Sequence, residues 1–411
     1  MQKQKFFAVL SLLVVVALFV TLSSNAASAA QATPAATEAG TMAAIPGSGK
    51  ITGPDANEAK ALTGAGSSFI NPLFSKWVAE YGTLTGVKIN YQPIGSGGGI
   101  QGIQQGTLDF GATDGAMTDD QIKAAKGGNV LHVVATIGAV AVGYNVPEAT
   151  DPLKFTPETL ALIYLADKAA SFNGTDGKPL APLLQWSDPR LVADNPQLKG
   201  VDKNIFVVHR SDSSGTTNIF TSYLSAANPD TWGKKESAAG KGDGGPGLGN
   251  AVSWPTGMGG KGSAGVAGFV KQAPYSIGYF ELAYATQNKI QTALIKNKAG
   301  NFIAPSADSA SAAAANAKLT ADLRVKFVNA DGDKAYPISG FTWMLIYEKQ
   351  TNPAKALAVV RLAWWATHDG QVDGPALQYA PLPAAVVKAD EAQIAKIVVN
   401  GKPVLPADFM K

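Results

Sequence analysis

The chain has no cysteine among its 411 residues and only three histidines, His132, His209 and His368. The lack of cysteine excludes disulfides, thiolate metal sites, a cysteine nucleophile and a lipid-modified N-terminal cysteine, so a lipoprotein is not expected. The three histidines do not have the spacing of metal ligands, and we expect no metal site and no bound cofactor. The formal net charge is only +3, without a basic block, which argues against a nucleic-acid partner.

Residues 1–60 have the composition of targeting and linker segments. Lys3 and Lys5 precede an apolar run from Phe6 to Leu22, and small residues follow at 27–29. This order is typical of a secretory signal peptide over residues 1–29, cleaved after Ala29. The alternative is an uncleaved anchor, because the run is nearly long enough to span a bilayer. Either way we expect export to the periplasm or another extracytoplasmic compartment. Residues 30–60 are rich in Ala, Thr, Pro and Gly and predict a flexible linker.

The stretch from His209 to Asn218 concentrates residue types that bind anions. The apolar run 204–208 predicts a strand, and apolar residues from Ile219 to Leu224 follow helical spacing. The residues between them form a strand-to-helix turn, which exposes backbone N–H groups at the positive end of a helix dipole. Arg210 adds a fork of donors, a combination typical of an anion site. Taken alone, the turn is more typical of an ordinary helix cap.

Two further turns have the same character. The segment 64–69 leads into an amphipathic helix that includes Trp77, and a strand over 87–91 runs into the glycine turn 95–99 and a helix from Ile100. Three turns that each deliver a helix N-terminus favour an anion site over three unrelated caps. A short strand over 108–114 then ends on Asp114, whose own sequence context is also that of a helix cap near residue 117.

The rest of the chain alternates strand and helix patterns, which predicts an α/β protein. A hydrophobic fraction of 46% and a charged fraction of 16% suit two domains or lobes with a sizeable core. Predicted strands cover 130–146, 276–280 and 340–347; predicted helices cover 156–164, 307–319 and 354–367; predicted surface loops cover 167–185 and 236–265.

An ordered set of motifs resembles the phosphate-binding proteins of bacterial ABC-type phosphate importers. In chain order the motifs are GAGSSF (64–69), NYQPIGSGGG (90–99), DFGATD (109–114), RSDSSGT (210–216), WPTGMGGKG (254–262) and IGY (277–279). The resemblance extends from about residue 61 to the C-terminus. It implies a two-lobed periplasmic-binding-protein fold of type II, the Venus-flytrap arrangement, with a hinge. Residues 61–144 plus 306–411 would form lobe 1, and residues 145–305 would form lobe 2.

The resemblance implies a function without catalysis. A monomer would bind inorganic phosphate by lobe closure and deliver it to the membrane permease subunits of an ABC importer. The implied phosphate ligands are Ser68, Phe69, Ser96, Asp114, Arg210, Asp212, Ser214, Gly215 and Thr216. Arg210, held by Asp212, would supply positive charge, and Phe69 only its backbone N–H. Asp114 would accept the proton that phosphate carries and sulfate lacks at neutral pH, so that sulfate leaves an unpaired buried charge.

The sequence departs from the family pattern in three places. Ser67 and Ser68 stand where a small residue and a threonine are usual, Ser213 replaces a glycine, and the loop 167–185 is longer. Ser68 retains a hydroxyl, so the first change should be mild, whereas Ser213 could alter the turn. Trp254 and the glycines 257–262 are interpreted as structural, with no ligand role for His209 or Lys261.

Assignment to another class of protein would account for fewer of these features. The segment 97–102 satisfies G-x-G-x-x-G after a strand, as in dinucleotide enzymes, but an exported chain has little access to NAD. An exported phosphatase or serine hydrolase would need a base or metal near Ser214, and G-x-S-x-G is absent there. A binding protein for another oxyanion, arsenate included, and an adhesive surface protein remain as alternatives.

Overall fold

The computed structural model describes residues 49–173, 177–233, 246–406 and 409. The predicted signal peptide and residues 30–48 of the predicted linker lie outside these ranges, as does part of the predicted loop 236–265. The described residues belong to one compact unit. Within these ranges, no helix combines the length and the apolar character needed to cross a membrane.

Strands and helices alternate along most of the described chain. The strands are β1 Ala61–Gly66, β2 Lys88–Gln92, β3 Phe110–Thr113, β4 Val130–Asn145, β5 Lys154–Phe155, β6 Phe206–Arg210, β7 Met258–Gly260, β8 Ser276–Glu281, β9 Gln291–Thr292, β10 Leu294–Lys296, β11 Phe302–Ile303, β12 Ser339–Tyr347, β13 Lys349–Gln350, β14 Val398–Val399 and β15 Lys402–Pro403. The α-helices are α1 Asn71–Thr85, α2 Ser96–Gln105, α3 Asp119–Lys123, α4 Pro157–Leu165, α5 Pro189–Val192, α6 Gly215–Ala227, α7 Pro229–Trp232, α8 Gly262–Gln272, α9 Leu282–Asn288, α10 Ala307–Ala314, α11 Pro353–Thr367 and α12 Ala384–Ile394.

The main sheet has the strand order β2-β1-β3-β12-β4-β8-β6-β7, and β9 also pairs with β4. β1 is parallel to β2 and β3, and β6 is parallel to β7 and β8. β12 and β4 pair antiparallel with each other and with their outer neighbours β3 and β8. In each parallel set the carboxyl ends of the strands lie at one edge, which is where α/β sheets bind ligands.

The long strand β4 connects the two halves of this sheet. Its residues 130–139 pair with β12, whereas residues 140–145 pair with β8. Every residue of β4 except Asn145 is buried, which explains its continuous apolar sequence. Below, the first half means β1–β3, β12, α1 and α2, and the second half means β6–β8, α6, α8 and α9.

The predicted α/β character and most predicted elements are confirmed, with boundary shifts of a few residues. α1 has Pro72 in its first turn and buries Leu73, Phe74 and Trp77, as its amphipathic spacing predicts. The helix predicted from Ile100 begins at Ser96, so the glycines 97–99 are helical. The helix predicted over 307–319 ends at Ala314.

Two segments predicted to be irregular are in part structured, which corrects those predictions. Residues 49–60 are not a free linker: Ile51 is buried, and Arg361 Nε donates to Glu58 Oε2 at 2.9 Å. Trp364 Nε1 also donates to the Gly49 carbonyl at 2.6 Å. The predicted loop 236–265 contains β7 and the start of α8. Both errors have one cause, since short segments rich in small residues show little hydrophobic periodicity.

Candidate functional site

The turns predicted separately from the sequence meet between the two halves of the sheet. Gly97 N, at the start of α2, donates to Ser213 O just before α6 at 3.0 Å. A Cβ on Gly215 would lie 2.5 Å from Ser96 Oγ, so only glycine allows this close approach. Asp212 is partly buried, and all the other predicted ligands are buried: Ser68, Phe69, Ser96, Asp114, Arg210, Ser214, Gly215 and Thr216.

Asp114 follows β3, and hydroxyl groups surround its carboxylate. Oδ1 accepts hydrogen bonds from Ser67 Oγ at 2.5 Å and Thr342 Oγ1 at 2.7 Å, while Oδ2 accepts one from Ser96 Oγ at 3.2 Å. Burial raises the pKa of Asp114 to about 6, against the lowering effects of these hydroxyls and the charge of Arg210. The group is therefore ionised at neutral pH and can accept a further proton donor.

The alternative interpretation of Asp114 as a helix cap is wrong. The N-cap of α3 is Thr118, whose side chain accepts from Gln121 N. Met117 N donates instead to His132 Nε2 at 3.1 Å. Burial lowers the pKa of His132 to about 3, which keeps this imidazole a neutral acceptor.

Arg210 ends β6, and Asp212 holds its guanidinium in a bidentate ion pair. The Nε–Oδ1 distance is 2.7 Å and the Nη2–Oδ2 distance is 2.5 Å, while Nη1 donates to Thr216 Oγ1 at 3.1 Å. This is not a surface ion pair, because the Arg210 side chain is 1% exposed. Burial alone would raise the pKa of Asp212, but hydrogen bonds and the charge of Arg210 hold it below its usual value. The pair thus stays ionised inside the protein.

The helix α6 begins at the site, and the interpretation of the preceding turn as a helix cap is confirmed. Ser214 is its N-cap, and the Ser214 Oγ accepts from Thr217 N at 3.1 Å. Ser213 does not adopt a positive φ angle, so its replacement of a glycine causes no backbone strain. The turn is therefore both a helix cap and part of the candidate site.

Ser68 and Phe69 lie between β1 and α1. Phe69 N donates to Ser67 Oγ at 3.0 Å, and its ring is fully buried beside Tyr379, as expected for a core side chain. Ser68 Oγ accepts from Ser263 N of the second half at 3.1 Å. Ser68 is thus a contact between the halves as well as a predicted ligand.

Sequence reasoning missed three tyrosines that fix this turn. Their hydroxyl groups donate to the three successive carbonyls of the turn: Tyr91 to Ser67 at 2.6 Å, Tyr284 to Ser68 at 2.7 Å and Tyr379 to Phe69 at 2.6 Å. With these carbonyls engaged, the peptide planes of the turn are held in one orientation. No local pattern signals these residues, because each lies in a different part of the chain.

A further helix N-terminus, that of α8, was also missed. Gly262 N donates to Asp212 Oδ1 at 3.0 Å, and the next N–H, that of Ser263, reaches Ser68. The glycines 257–262, interpreted as structural, thus also hold the site. The N-caps of α1, α2 and α8 make no side-chain cap hydrogen bond, which leaves their positive dipole ends uncompensated by a local cap.

The remaining sequence candidates were not predicted to bind the ligand. His209 stacks on Trp254 with ring centroids 5.1 Å apart, consistent with an incidental neighbour. The G-x-G-x-x-G match at 97–102 lies inside α2, whereas a dinucleotide motif precedes its helix. In the described part of the chain, no cluster of three or more His, Asp or Glu side chains could hold a metal ion.

Glu281, at the end of β8, lies behind the site and has no charged partner. Its Oε2 accepts from Ala283 N at 2.8 Å and lies 3.0 Å from Tyr379 Oη, whose own proton is donated to the Phe69 carbonyl, whereas its buried Oε1 has no hydrogen-bond partner. Burial raises the pKa of Glu281 well above its usual value. The carboxyl group is therefore protonated in the folded protein when it is ionised in the unfolded chain.

Replacement of Glu281 by glutamine should stabilise the protein increasingly as pH rises from 5 to 8. The wild type loses stability with rising pH above the unfolded pKa, because the unfolded chain releases a proton that the folded protein keeps. The difference in unfolding free energy between Glu281→Gln and wild type should grow by about 1.4 kcal/mol per pH unit above the unfolded pKa and should level off at the folded pKa. Urea unfolding at several pH values measures it, with the exposed Glu158→Gln as control. A constant difference would contradict a protonated Glu281.

The fold and the enclosed site, which is rich in hydrogen-bond donors, are those of solute-binding proteins. Proteins of this class close two lobes around a small ligand. The model of the PBP superfamily domain matches residues 27–364. The phosphate-binding protein PstS of Pasteurella multocida is 40% identical over 339 residues, 82% of this chain and 90% of that protein. The PstS protein of Haemophilus influenzae is also 40% identical, over 82% of this chain and 93% of its own. The chain belongs to this family of phosphate-binding proteins.

Solved structures with the same fold are more distant in sequence. The phosphate-binding protein of Stenotrophomonas maltophilia superposes with a TM-score of 0.60, covering 81% of this chain and 94% of that one, at 17% identity. This likeness supports the two-lobed α/β fold, and the family assignment rests on the closer sequence relatives.

Proposed function

We propose that the protein binds inorganic phosphate outside the cytoplasmic membrane and delivers it to the permease of an ABC phosphate importer. The observation that carries this proposal is one site that contains both a buried Arg210, paired with Asp212, and a buried Asp114, whose carboxylate accepts hydrogen bonds from three hydroxyl groups. The helices α2, α6 and α8 begin beside these residues. The names of the relatives, phosphate-binding protein PstS, agree with it.

Phosphate at neutral pH is a mixture of the monoanion and the dianion, both of which carry at least one proton. The site stabilises this charge mainly with hydrogen-bond donors and has little net positive charge of its own. The guanidinium of Arg210 is already paired with Asp212, so that pair contributes little net charge. Helix N-termini and hydroxyls supply the remaining stabilisation through partial charges and N–H groups. The proposed ligands are Ser68, Phe69, Ser96, Asp114, Arg210, Asp212, Ser214, Gly215 and Thr216.

Asp114 gives the site its selectivity. Its carboxylate accepts the proton of monohydrogen phosphate, which turns a charge repulsion into a hydrogen bond. Sulfate has no such proton, so a negatively charged sulfate oxygen would lie against the negatively charged carboxylate without a hydrogen bond between them. Arsenate carries the same proton and is expected to compete.

Binding requires the two halves to separate and close. All the predicted ligands except the partly buried Asp212 are buried, and hydrogen bonds such as Ser263 N to Ser68 Oγ cross between the halves. The proposed lobes are 61–144 plus 306–411 and 145–305, with the hinge near the point where β4 changes partner. Closure of this kind is a usual motion of two-lobed binding proteins.

In this proposal the protein is a monomeric binding protein and not an enzyme. A phosphatase would need a general base or a metal beside a nucleophile. Each described histidine has its own partners: His132 contacts Met117, His368 contacts Glu391, and His209 stacks on Trp254 with Nδ1 3.0 Å from the Arg210 carbonyl. Ser214 Oγ caps α6. Export by the signal peptide 1–29 and docking on permease subunits complete the proposal.

Calorimetric titration tests this function. The exported chain, residues 30–411, should bind phosphate at neutral pH with one site per chain and should retain that affinity in excess sulfate. It should leave p-nitrophenyl phosphate intact. Absence of heat with phosphate would refute the proposal. Binding of another oxyanion in place of phosphate would support a binding protein for that oxyanion. Turnover of the phosphoester would support a phosphatase.

Replacement of Gly215 by alanine should weaken phosphate binding about 30-fold. The added Cβ would lie 2.5 Å from Ser96 Oγ and 2.6 Å from Asp114 N, both on the opposite half. Overpacking of this kind costs about 2 kcal/mol, and separation of the halves relieves it. Gly268→Ala in α8 is the matched control, because nothing lies within 4 Å of its Cβ. Equal affinities of the two variants would show that the halves do not close here.

A further inference from the structure

The two carboxylate oxygens of Asp114 are not equivalent. Oδ1 accepts from both Ser67 Oγ and Thr342 Oγ1, at 2.5 and 2.7 Å. Oδ2 accepts only from Ser96 Oγ, at the longer distance of 3.2 Å. Because a carboxylate oxygen has about two lone-pair sites, Oδ1 is fully used and Oδ2 has one to spare.

A β-bulge aims the Thr342 side chain at Asp114. Thr342 pairs with Thr136 of β4, but the next residue, Trp343, pairs with Val134, so Ala135 is an extra residue in β4. Bulges of this kind re-aim side chains and are frequent next to functional sites. Thr342 is itself fully buried, in the central strand β12.

Two buried polar side chains hold the bulge. Val134 N, at its edge, donates to Asp390 Oδ1 at 2.7 Å, and the carbonyl of Ala135 accepts from Gln371 Nε2 at 2.9 Å. Both backbone groups would otherwise be costly to bury without a partner. The fold therefore stabilises the irregularity that brings the threonine hydroxyl to Asp114.

We propose that Thr342 is a positioning residue for anion selectivity: its hydroxyl engages Oδ1 of Asp114 and leaves Oδ2 as the oxygen that accepts the proton of the bound anion. This inference rests on the proposed phosphate-binding function. Thr342 acts through Asp114 and need not touch phosphate. Its distance from Asp114 along the chain, 228 residues, hides it from motif analysis.

The hydroxyl also keeps Asp114 in the form that rejects sulfate. Burial raises the pKa of Asp114 to about 6, and the hydrogen bond from Thr342 is one of the groups that lower it. Without that hydroxyl the carboxyl group holds its proton to higher pH. A protonated Asp114 donates a hydrogen bond, which sulfate can accept, so discrimination is lost.

Other titratable groups also face Asp114. Burial raises the pKa values of Tyr91, Tyr284 and Tyr379 above the usual tyrosine value, so these hydroxyls stay neutral between pH 5 and 8. Arg210, across the site, is held in its ion pair with Asp212. Burial also raises the pKa of Glu281 well above the usual carboxyl value. Because Glu281 is present in the wild type and in every Thr342 variant, the difference between their pH profiles reports on Asp114.

Thr342→Val and Thr342→Ser test the inference. Dissociation constants for phosphate and sulfate are measured by calorimetry from pH 5 to 8. In the wild type the preference for phosphate should fall as pH drops through about 6, where Asp114 takes up a proton. In Thr342→Val the decrease in preference should occur at a pH about one unit higher than in the wild type. Between pH 6 and 7 the variant should therefore prefer phosphate over sulfate about tenfold less than the wild type does. Thr342→Ser should follow the wild type.

Each contrary outcome has a separate meaning. If Thr342→Val keeps the pH profile of the wild type, Thr342 does not position Asp114 and the inference fails. A uniform loss of affinity for both anions at every pH also overturns it, because that pattern marks a structural role. Should Thr342→Val fail to fold, Thr342→Ala is expected to give the same shifted profile. If the wild type binds no phosphate, the proposed function itself fails.

Discussion

Asp114→Asn should reduce the preference of the protein for phosphate over sulfate about 100-fold at neutral pH. The side-chain amide retains the size of the carboxylate but removes its charge, and its N–H₂ group can donate to sulfate. The carboxylate meets sulfate as an unpaired buried charge, a penalty of about 3 kcal/mol that the amide removes. Competition of sulfate against phosphate in calorimetry measures the change.

Asp109→Asn is the matched control for this prediction. Asp109 lies five residues earlier, next to β3, and its carboxylate accepts from Lys355 Nζ at 2.6 Å and from Thr63 N at 2.8 Å. We expect its replacement to leave selectivity unchanged. If Asp114→Asn still rejects sulfate as strongly as the wild type, another group accepts the hydrogen bond from the proton of phosphate.

Arg210→Met should weaken phosphate binding about 1000-fold, the largest effect on affinity that we expect. Arg210 is the buried cation among the proposed ligands, and its loss leaves the partly buried carboxylate of Asp212 near the anion without a compensating charge. Truncation of one partner of a buried, hydrogen-bonded charge contact costs about 4 kcal/mol of binding free energy. Arg210→Lys should be intermediate, because lysine retains the charge but loses the planar fork of donors.

The chain supplies a close control in Arg190. Like Arg210 it forms a bidentate pair with an aspartate two residues away, Asp188, at 2.9 and 2.7 Å. The Arg190 side chain is 35% exposed, against 1% for Arg210. Arg190→Met should leave phosphate affinity unchanged, and thermal unfolding of both variants checks that they are folded. Near-normal affinity of a folded Arg210→Met would remove this arginine from the ligand set.

Local sequence patterns predicted much of the candidate site. The turns before α1, α2 and α6 were identified because each combines glycine, serine and a following amphipathic helix within about ten residues. The resemblance to a family then connected these turns to one another. Periodicity alone did not separate the two interpretations of Asp114, because a helix cap and an anion contact use the same residue types.

The residues that were missed reach the site from distant parts of the chain. Ser263 contacts Ser68 across 195 residues, and Thr342 contacts Asp114 across 228. Their roles depend on which strands become neighbours and, for Thr342, on a bulge that changes the register by one residue. Glycine-rich segments gave the other errors, since the start of α8 has no side-chain periodicity to read.

A crystal structure of the protein with phosphate tests the central claim most directly. We expect one anion between the two halves, with an oxygen about 2.5–2.7 Å from Asp114 Oδ2, the range of a charge-assisted hydrogen bond between oxygens. The guanidinium of Arg210 and the first N–H groups of α6 should donate to the same anion. A phosphate bound elsewhere, or one whose oxygens stay out of reach of both Asp114 and Arg210, would contradict the account.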